Sequence, residues 1–153
     1  MLYIQFGIDD DRYLLATDQV MTLIPVVEMH PAPTATDQFP GCINFKGEWV
    51  PVIDVVQLLG GRPALPRLST RIIIFLLAGQ KRVHNKVGLL VEKVTELVKL
   101  DETRFSAMTA QMPETPGLDA LVNDEFGVLY RVQAEKLLCG HISGAMNCDG
   151  LQQ

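Results

Sequence analysis

A mainly β protein built as two small barrel-like lobes is what this sequence predicts, and three observations carry that expectation. Apolar residues recur with period two, most clearly Leu2, Ile4, Phe6 and Ile8 against Tyr3, Gln5 and Gly7. Further short apolar stretches follow, separated by turns rich in glycine and proline. Residues 121–140, LVNDEFGVLYRVQAEKLLCG, also repeat the plan of residues 41–60, GCINFKGEWVPVIDVVQLLG: strand, glycine turn, apolar strand, short helix ending in Leu-Leu, glycine. A duplicated unit implies two similar lobes, each curling to remove its open edges. At 153 residues, 48% of them hydrophobic, the chain has the material for one packed domain.

Taken in order, Leu2–Ile8 is the first strand and Asp9–Asp11 a charged turn. Tyr13–Ala16 and Val20–Ile24 are strands separated by Thr17-Asp18-Gln19, the second closed by Pro25. Residues 29–41, MHPAPTATDQFPG, hold three prolines and read as an extended surface loop. Cys42–Phe45 and Trp49–Ile53 flank Lys46-Gly47-Glu48, a tight turn in which Gly47 takes the positive φ. Pro51 lacks a ladder donor, so its strand is expected at an edge or with the nitrogen facing outward. Asp54 is placed to cap a helical turn, Val55–Leu59, with Gly60 as left-handed terminator. Residues 62–69, RPALPRLS, read as a linker between lobes, Arg71–Leu77 as a buried strand, and AGQKRVHNK as a polar hairpin loop. In VGLLVEKVTELVKL the residues Val87, Leu90, Val91, Val94, Leu97 and Val98 fall at helical spacing, while five β-branched residues favour a strand. Local evidence leaves that segment even. Residues 101–120 read as a long connection with room for one helical turn, and residues 141–153 as a flexible tail.

Charge and composition exclude several functions. Thirteen basic against eighteen acidic residues, a net charge of −5, disfavour nucleic-acid binding, and 7% aromatics supply few stacking platforms for a single strand. The longest uninterrupted apolar run, Ile72–Ala78, is too short to span a bilayer, so a cytoplasmic protein without membrane insertion is expected. Three cysteines, Cys42, Cys139 and Cys148, are an odd number without framework spacing and fit thiols in a reducing compartment. Cys139, His141 and Cys148 make a weak metal-ligand pattern, and no metal or cofactor is expected. His30 and His84 lie in polar loops without a neighbouring nucleophile, so no enzyme active site is expected either.

The run Gly41-Cys42-Ile43-Asn44-Phe45-Lys46-Gly47 followed by Val50-Pro51-Val52-Ile53-Asp54 resembles the CheW-like adaptor family, whose signature runs G-V-x-N-L-R-G and then V-P-[IV]-[IV]-D-L. The resemblance spans nearly the whole chain. Residues 1–24 look like the family's opening strands, Val87–Val98 its V-G-[IL]-x-V-D-x-V-x-[ED]-[VL] segment, and Phe126–Leu138 its closing strand and helix. It implies two SH3-like five-stranded β-barrels packed together, with Val87–Val98 mainly strand. The expected division is a single domain over residues 1–140. Lobe one is mainly 12–61 and lobe two mainly 70–140, with strand 1–8 open to sharing between them.

The resemblance further implies a non-catalytic signalling adaptor that bridges the cytoplasmic tips of methyl-accepting chemoreceptors to the regulatory domain of a CheA-type histidine kinase, recruited to receptor arrays. A receptor helix tip is expected to dock near the lobe junction, at the positions of Val20, Gly41 and Lys46, with Phe45 and Trp49 as interface anchors. Kinase contacts fall on apolar patches that the resemblance does not assign residue by residue. Read without the resemblance, Lys46 is a solvated turn residue, Val20 and Trp49 are packing residues, and the glycines are backbone devices. The chain departs from the signature at two charged positions: Val20-Met21-Thr22-Leu23 stands where V-x-E-[IV] is usual, and Lys46 replaces arginine. A lysine cannot reproduce arginine's bidentate fork. The stretch RPALPRLSTR resembles adaptors of Wsp-type surface-sensing systems more than those of flagellar arrays.

Overall fold

Strands dominate the computed structural model, which describes residues 1–33, 35–77, 85–108 and 117–138. In chain order they are β1 Leu2–Ile8, β2 Asp11–Ala16, β3 Val20–Pro25, β4 Gly41–Phe45, β5 Glu48–Asp54, β6 Arg71–Leu76, β7 Lys86–Val91, β8 Glu96–Lys99, β9 Ser106–Ala107, β10 Leu118–Asp124 and β11 Gly127–Val132. Two short helices, α1 Val55–Gly60 and α2 Ala134–Leu138, follow β5 and β11, and a single 3-10 turn covers Glu102–Arg104.

The strands form two sheets of matching design. A middle lobe has the order β3-β6-β7-β5-β4, and a terminal lobe, made from the two ends of the chain, has β8-β1-β2-β11-β10-β9. In both, an edge strand is followed by two antiparallel pairings, one parallel pairing and one antiparallel hairpin. The repeated segments occupy equivalent places: β4-β5-α1 in one lobe, β10-β11-α2 in the other. The duplication is therefore circularly permuted, with β1 and β2 filling the terminal-lobe positions that β6 and β7 fill in the middle lobe. This changes the expected division of the chain. Residues 62–69 connect α1 to β6 inside the middle lobe, and the chain passes between lobes around residues 17–19 and 92–95.

Each sheet curls around a core of its own. Ile24 and Val26 beside β3 pack with Ile43 and Phe45 of β4, at the other end of the sheet, together with Val50, Val52, Ile72, Ile74 and Leu90. In the terminal lobe Tyr3, Leu14, Val122, Leu129 and Val98 do the same. The largest cluster lies between the lobes and takes Ile4, Phe6, Ile8 and Leu15 from one sheet, and Ile53, Ile73, Phe75, Leu89 and Val91 from the other. Alternation thus sends Ile72 and Ile74 inward and Ile73 and Phe75 to the seam. Burial on both faces explains why β6 and β7 read as unbroken apolar runs.

Local chemistry refines several expectations. Asp54 caps α1 by accepting from the Gln57 amide at 3.0 Å, while the left-handed terminator is Gly61 at φ 72° and not Gly60. Pro51 lies in an interior strand, between β4 and β7. Its β4 partner, Cys42, turns both its N–H and its C=O away to His30, each bond 2.8 Å. The proline is therefore in a non-hydrogen-bonded pair, where β4 needs no donor from it. The 29–41 loop is anchored inward by Ala32 and Phe39, both buried. Cys42 is disulfide-bonded, which corrects the expectation of free thiols; Cys139 and Cys148 lie outside the described residues. His84, His141 and the tail lie outside them as well.

A charged clasp ties the lobes at one end. The Glu92 carboxylate, fully buried where the chain leaves β7, receives both arms of the Arg62 guanidinium at 2.8 and 2.9 Å and the Leu65 amide at 2.6 Å. Arg62 also reaches Asp9 in the β1–β2 turn at 3.0 Å, and the Lys93 ammonium donates to the Asp9 carbonyl at 2.6 Å. The hydrogen bonds from Arg62 hold the Glu92 carboxyl below its ordinary range, against the opposing effect of burial.

Candidate functional site

Phe45 pairs with Glu48, so Lys46 and Gly47 alone form the β4–β5 loop. Both have positive φ, 52° and 86°, as a type I′ hairpin turn requires, and the Asn44 side-chain oxygen accepts from the Gly47 amide at 2.9 Å. Lys46 stands exposed with its ammonium 5.3 Å from the centre of the Phe45 ring, and among the described residues it makes no ion pair. The ring itself is buried in the middle-lobe core. Phe45 therefore supports the turn from beneath and is not the interface anchor expected from sequence. Thr22, where the family signature has glutamate, has only a weak 3.5 Å contact from its hydroxyl to the Leu23 carbonyl.

Strand register brings Val20 and Trp49 to the same end of the middle lobe. Val20 opens β3 opposite Phe75, Leu76 pairs with Lys86, the Lys86 ammonium meets the Glu48 carboxylate at 2.8 Å, and Glu48 closes the hairpin beside Lys46. A bulge between Val20 and Thr22 leaves Met21 at this rim, 46% exposed. Trp49 is half-buried against the inter-lobe core, its ring edge-to-face with His30 at 5.1 Å. Gly41 is buried at the far end of β4, and a Cβ there would meet the His30 carbonyl oxygen at 2.4 Å. Gly41 permits the His30–Cys42 bridge and exposes no side chain to a partner.

Beside Val20 a cleft of about 280 Å³ opens along the lobe seam, lined by Asp18, Gln19 and Phe75 on one side and Tyr3, Arg131 and Glu135 on the other. The Gln19 amide spans it, donating to the Leu76 carbonyl at 2.8 Å and to Glu135 at 3.1 Å. Arg131 forms the floor: its guanidinium forks onto Asp119 and Glu102, each contact between 2.8 and 2.9 Å, and lies 4.7 Å from the Phe105 ring centre. Burial opposes ionisation of Asp119, but the bonds from Arg131 and Gln133 outweigh it and lower its pKa. With its charge already neutralised, this floor shapes the cleft without attracting an anion. Among the described residues no group of His, Cys, Asp and Glu is arranged to hold a metal, and no helix is long and apolar enough to cross a membrane.

Sequence reasoning passed over one residue at the opposite end of the terminal lobe. Asp124 pairs with Gly127, so Glu125 and Phe126 form the β10–β11 loop, and Phe126 is 78% exposed. The signal was present in the repeat, since Glu125-Phe126 aligns in plan with Lys46-Gly47. The sequence does place a glycine turn here, but Phe126 reads as the start of the closing strand and not as an exposed loop residue.

Two SH3-like lobes joined by permuted strands, with a cleft along their seam, define the double-barrel class of CheW-like domains. The chain belongs to that family: the CheW-like domain model matches residues 2–138. Among solved structures it is similar to the scaffolding protein TtCheW from Thermoanaerobacter tengcongensis, with a TM-score of 0.79, 22% identity, and coverage of 95% of this chain and 93% of that one. No curated protein sequence matches it significantly.

Proposed function

We propose that this protein is a non-catalytic signalling adaptor that couples the cytoplasmic tips of chemoreceptors to the regulatory domain of a CheA-type histidine kinase, and so works in the cytoplasm at receptor arrays. The supporting observation is the presentation of Lys46. A charged side chain, unpaired among the described residues, is held on a rigid left-handed turn at the same end of the middle lobe as Val20 and the bulged Met21, and Gln19 and Phe75 beside Val20 line the seam cleft. Among the described residues that rim offers apolar contact flanked by an unpaired cation, which suits the side of an elongated helical partner bearing a carboxylate. The family membership and the likeness to a scaffolding protein support the same reading.

Binding of a receptor-tip fragment, a helical hairpin, tests it. Lys46→Glu is expected to weaken that binding about tenfold while leaving the unfolding midpoint nearly unchanged, because exposed turn substitutions usually shift stability by about 0.5 kcal/mol or less. Unaltered affinity in Lys46→Glu would remove Lys46 from the site.

A further inference from the structure

Phe126 is exposed yet firmly held. The Asp124 carboxylate accepts from the Phe126 amide at 2.8 Å, and the same carboxylate receives both arms of Arg12 at 2.8 and 2.6 Å. The hydrogen bond from Arg12 leads the causes that lower the Asp124 pKa to about 2, so this perch stays ionised at every working pH. The Arg12 guanidinium in turn lies 6.0 Å from the Phe126 ring centre. Val128, two residues on, is 37% exposed on the same hairpin. An aromatic ring fixed before binding loses little freedom on docking, which favours an anchor role.

The surroundings are acidic. Leu129 pairs with Arg12 across the parallel β11–β2 ladder, which brings Asp11 alongside Val128. Asp10, Asp11 and Glu125 form no ion pair among the described residues. The tip is also remote from the seam cleft. β11 runs from Gly127 to Val132, where it reaches the cleft, so about 16 Å of strand separates the two. In the permuted repeat this hairpin is the counterpart of the one that presents Lys46.

We infer that the β10–β11 tip, centred on Phe126, is a second docking surface, and that it enters an apolar socket rimmed by basic side chains on the kinase regulatory domain. This rests on the adaptor reading, which places the receptor at the seam and requires the kinase to dock elsewhere. Charge complementarity selects the rim: with Arg12 committed to Asp124, Glu125 in the loop and Asp11 alongside Val128, both without an ion pair among the described residues, repel an acidic partner, including a second copy of this tip.

The test is calorimetric titration of the full chain with the kinase regulatory domain, comparing the wild type with Phe126→Ala, Phe126→Trp and Lys46→Glu at two salt concentrations. Phe126→Ala is expected to weaken binding at least about tenfold with an unchanged circular dichroism spectrum and melting midpoint. Phe126→Trp retains affinity, Lys46→Glu leaves it unchanged, and added salt weakens the wild-type complex. If the wild type binds and Phe126→Ala binds equally well, the inference fails and the adaptor reading stands. A wild type that ignores the kinase domain overturns both. Sedimentation of the free proteins covers the remaining occupant: self-association abolished by Phe126→Ala, with kinase affinity intact, would make a second copy the partner and contradict the assignment.

Discussion

Lys46 occupies backbone that L-residues adopt reluctantly, at φ 52° in a position where hairpins prefer asparagine or glycine. Lys46→Asn is therefore expected to stabilise the fold by about 0.5–1 kcal/mol in urea unfolding while weakening receptor-tip binding. A substitution that raises stability and lowers binding separates a functional lysine from a solvated one. Gly41 shows the opposite economy: Gly41→Ala drives a Cβ into the His30 carbonyl and should cost about 2 kcal/mol or more, read by the urea midpoint. Tyr13 carries a pH signature. Burial is the main cause that pushes its phenol up to about 12 from 10.0, so its stabilising contribution is complete below pH 10 and lost as pH rises toward 12. Alkaline unfolding should then track tyrosinate absorbance in that window. At this scale the turn at Lys46 was legible, because two-residue hairpin loops have few solutions. Period-two alternation along β4 places Phe45 inward with Ile43.

The stretch 62–69 shows how composition misleads at the level of an element. Two prolines and two arginines suggest an open linker, yet buried carboxylates hold its backbone: Glu92 takes the Leu65 amide at 2.6 Å and Asp54 the Ala64 amide at 2.9 Å. Neither contact is visible from neighbours in sequence. Arg62→Met leaves Glu92 buried without its cation and should lower the urea midpoint near neutral pH. The pH dependence should also reverse. In the wild type the lowered Glu92 pKa contributes stability above about pH 4.5, lost as pH falls through the folded-state value. In Arg62→Met burial outweighs the remaining bond from the Leu65 amide and the effect of Arg67, the carboxyl pKa rises, and stability is lost as pH climbs through it. Adding Glu92→Gln should recover much of the loss, since a neutral amide oxygen still accepts from Leu65. Urea midpoints of the three proteins across pH 4 to 8 check both statements. The β7–β8 segment was ambiguous for a related reason: β7, buried on both faces, loses the alternation that identifies a strand, and helical spacing appears by coincidence.

Across the whole molecule the duplication was legible but its wiring was not. Matching segments at 41–60 and 121–140 announced two similar lobes, whereas the assignment of β1 and β2 to the terminal lobe depends on pairings with β11 and β8 that only three-dimensional register shows. That wiring sets Lys46 on a hairpin of the middle lobe and Phe126 on the corresponding hairpin of the terminal lobe, and so gives one small chain two separate faces. The decisive measurement is a calorimetric titration of the kinase regulatory domain into this protein, alone and already saturated with the receptor-tip fragment. Two faces predict saturable binding with a negative heat-capacity change in both titrations and an affinity altered less than about threefold by the receptor. Loss of kinase binding once the receptor is bound, or no binding in either titration, would contradict an adaptor that bridges the two.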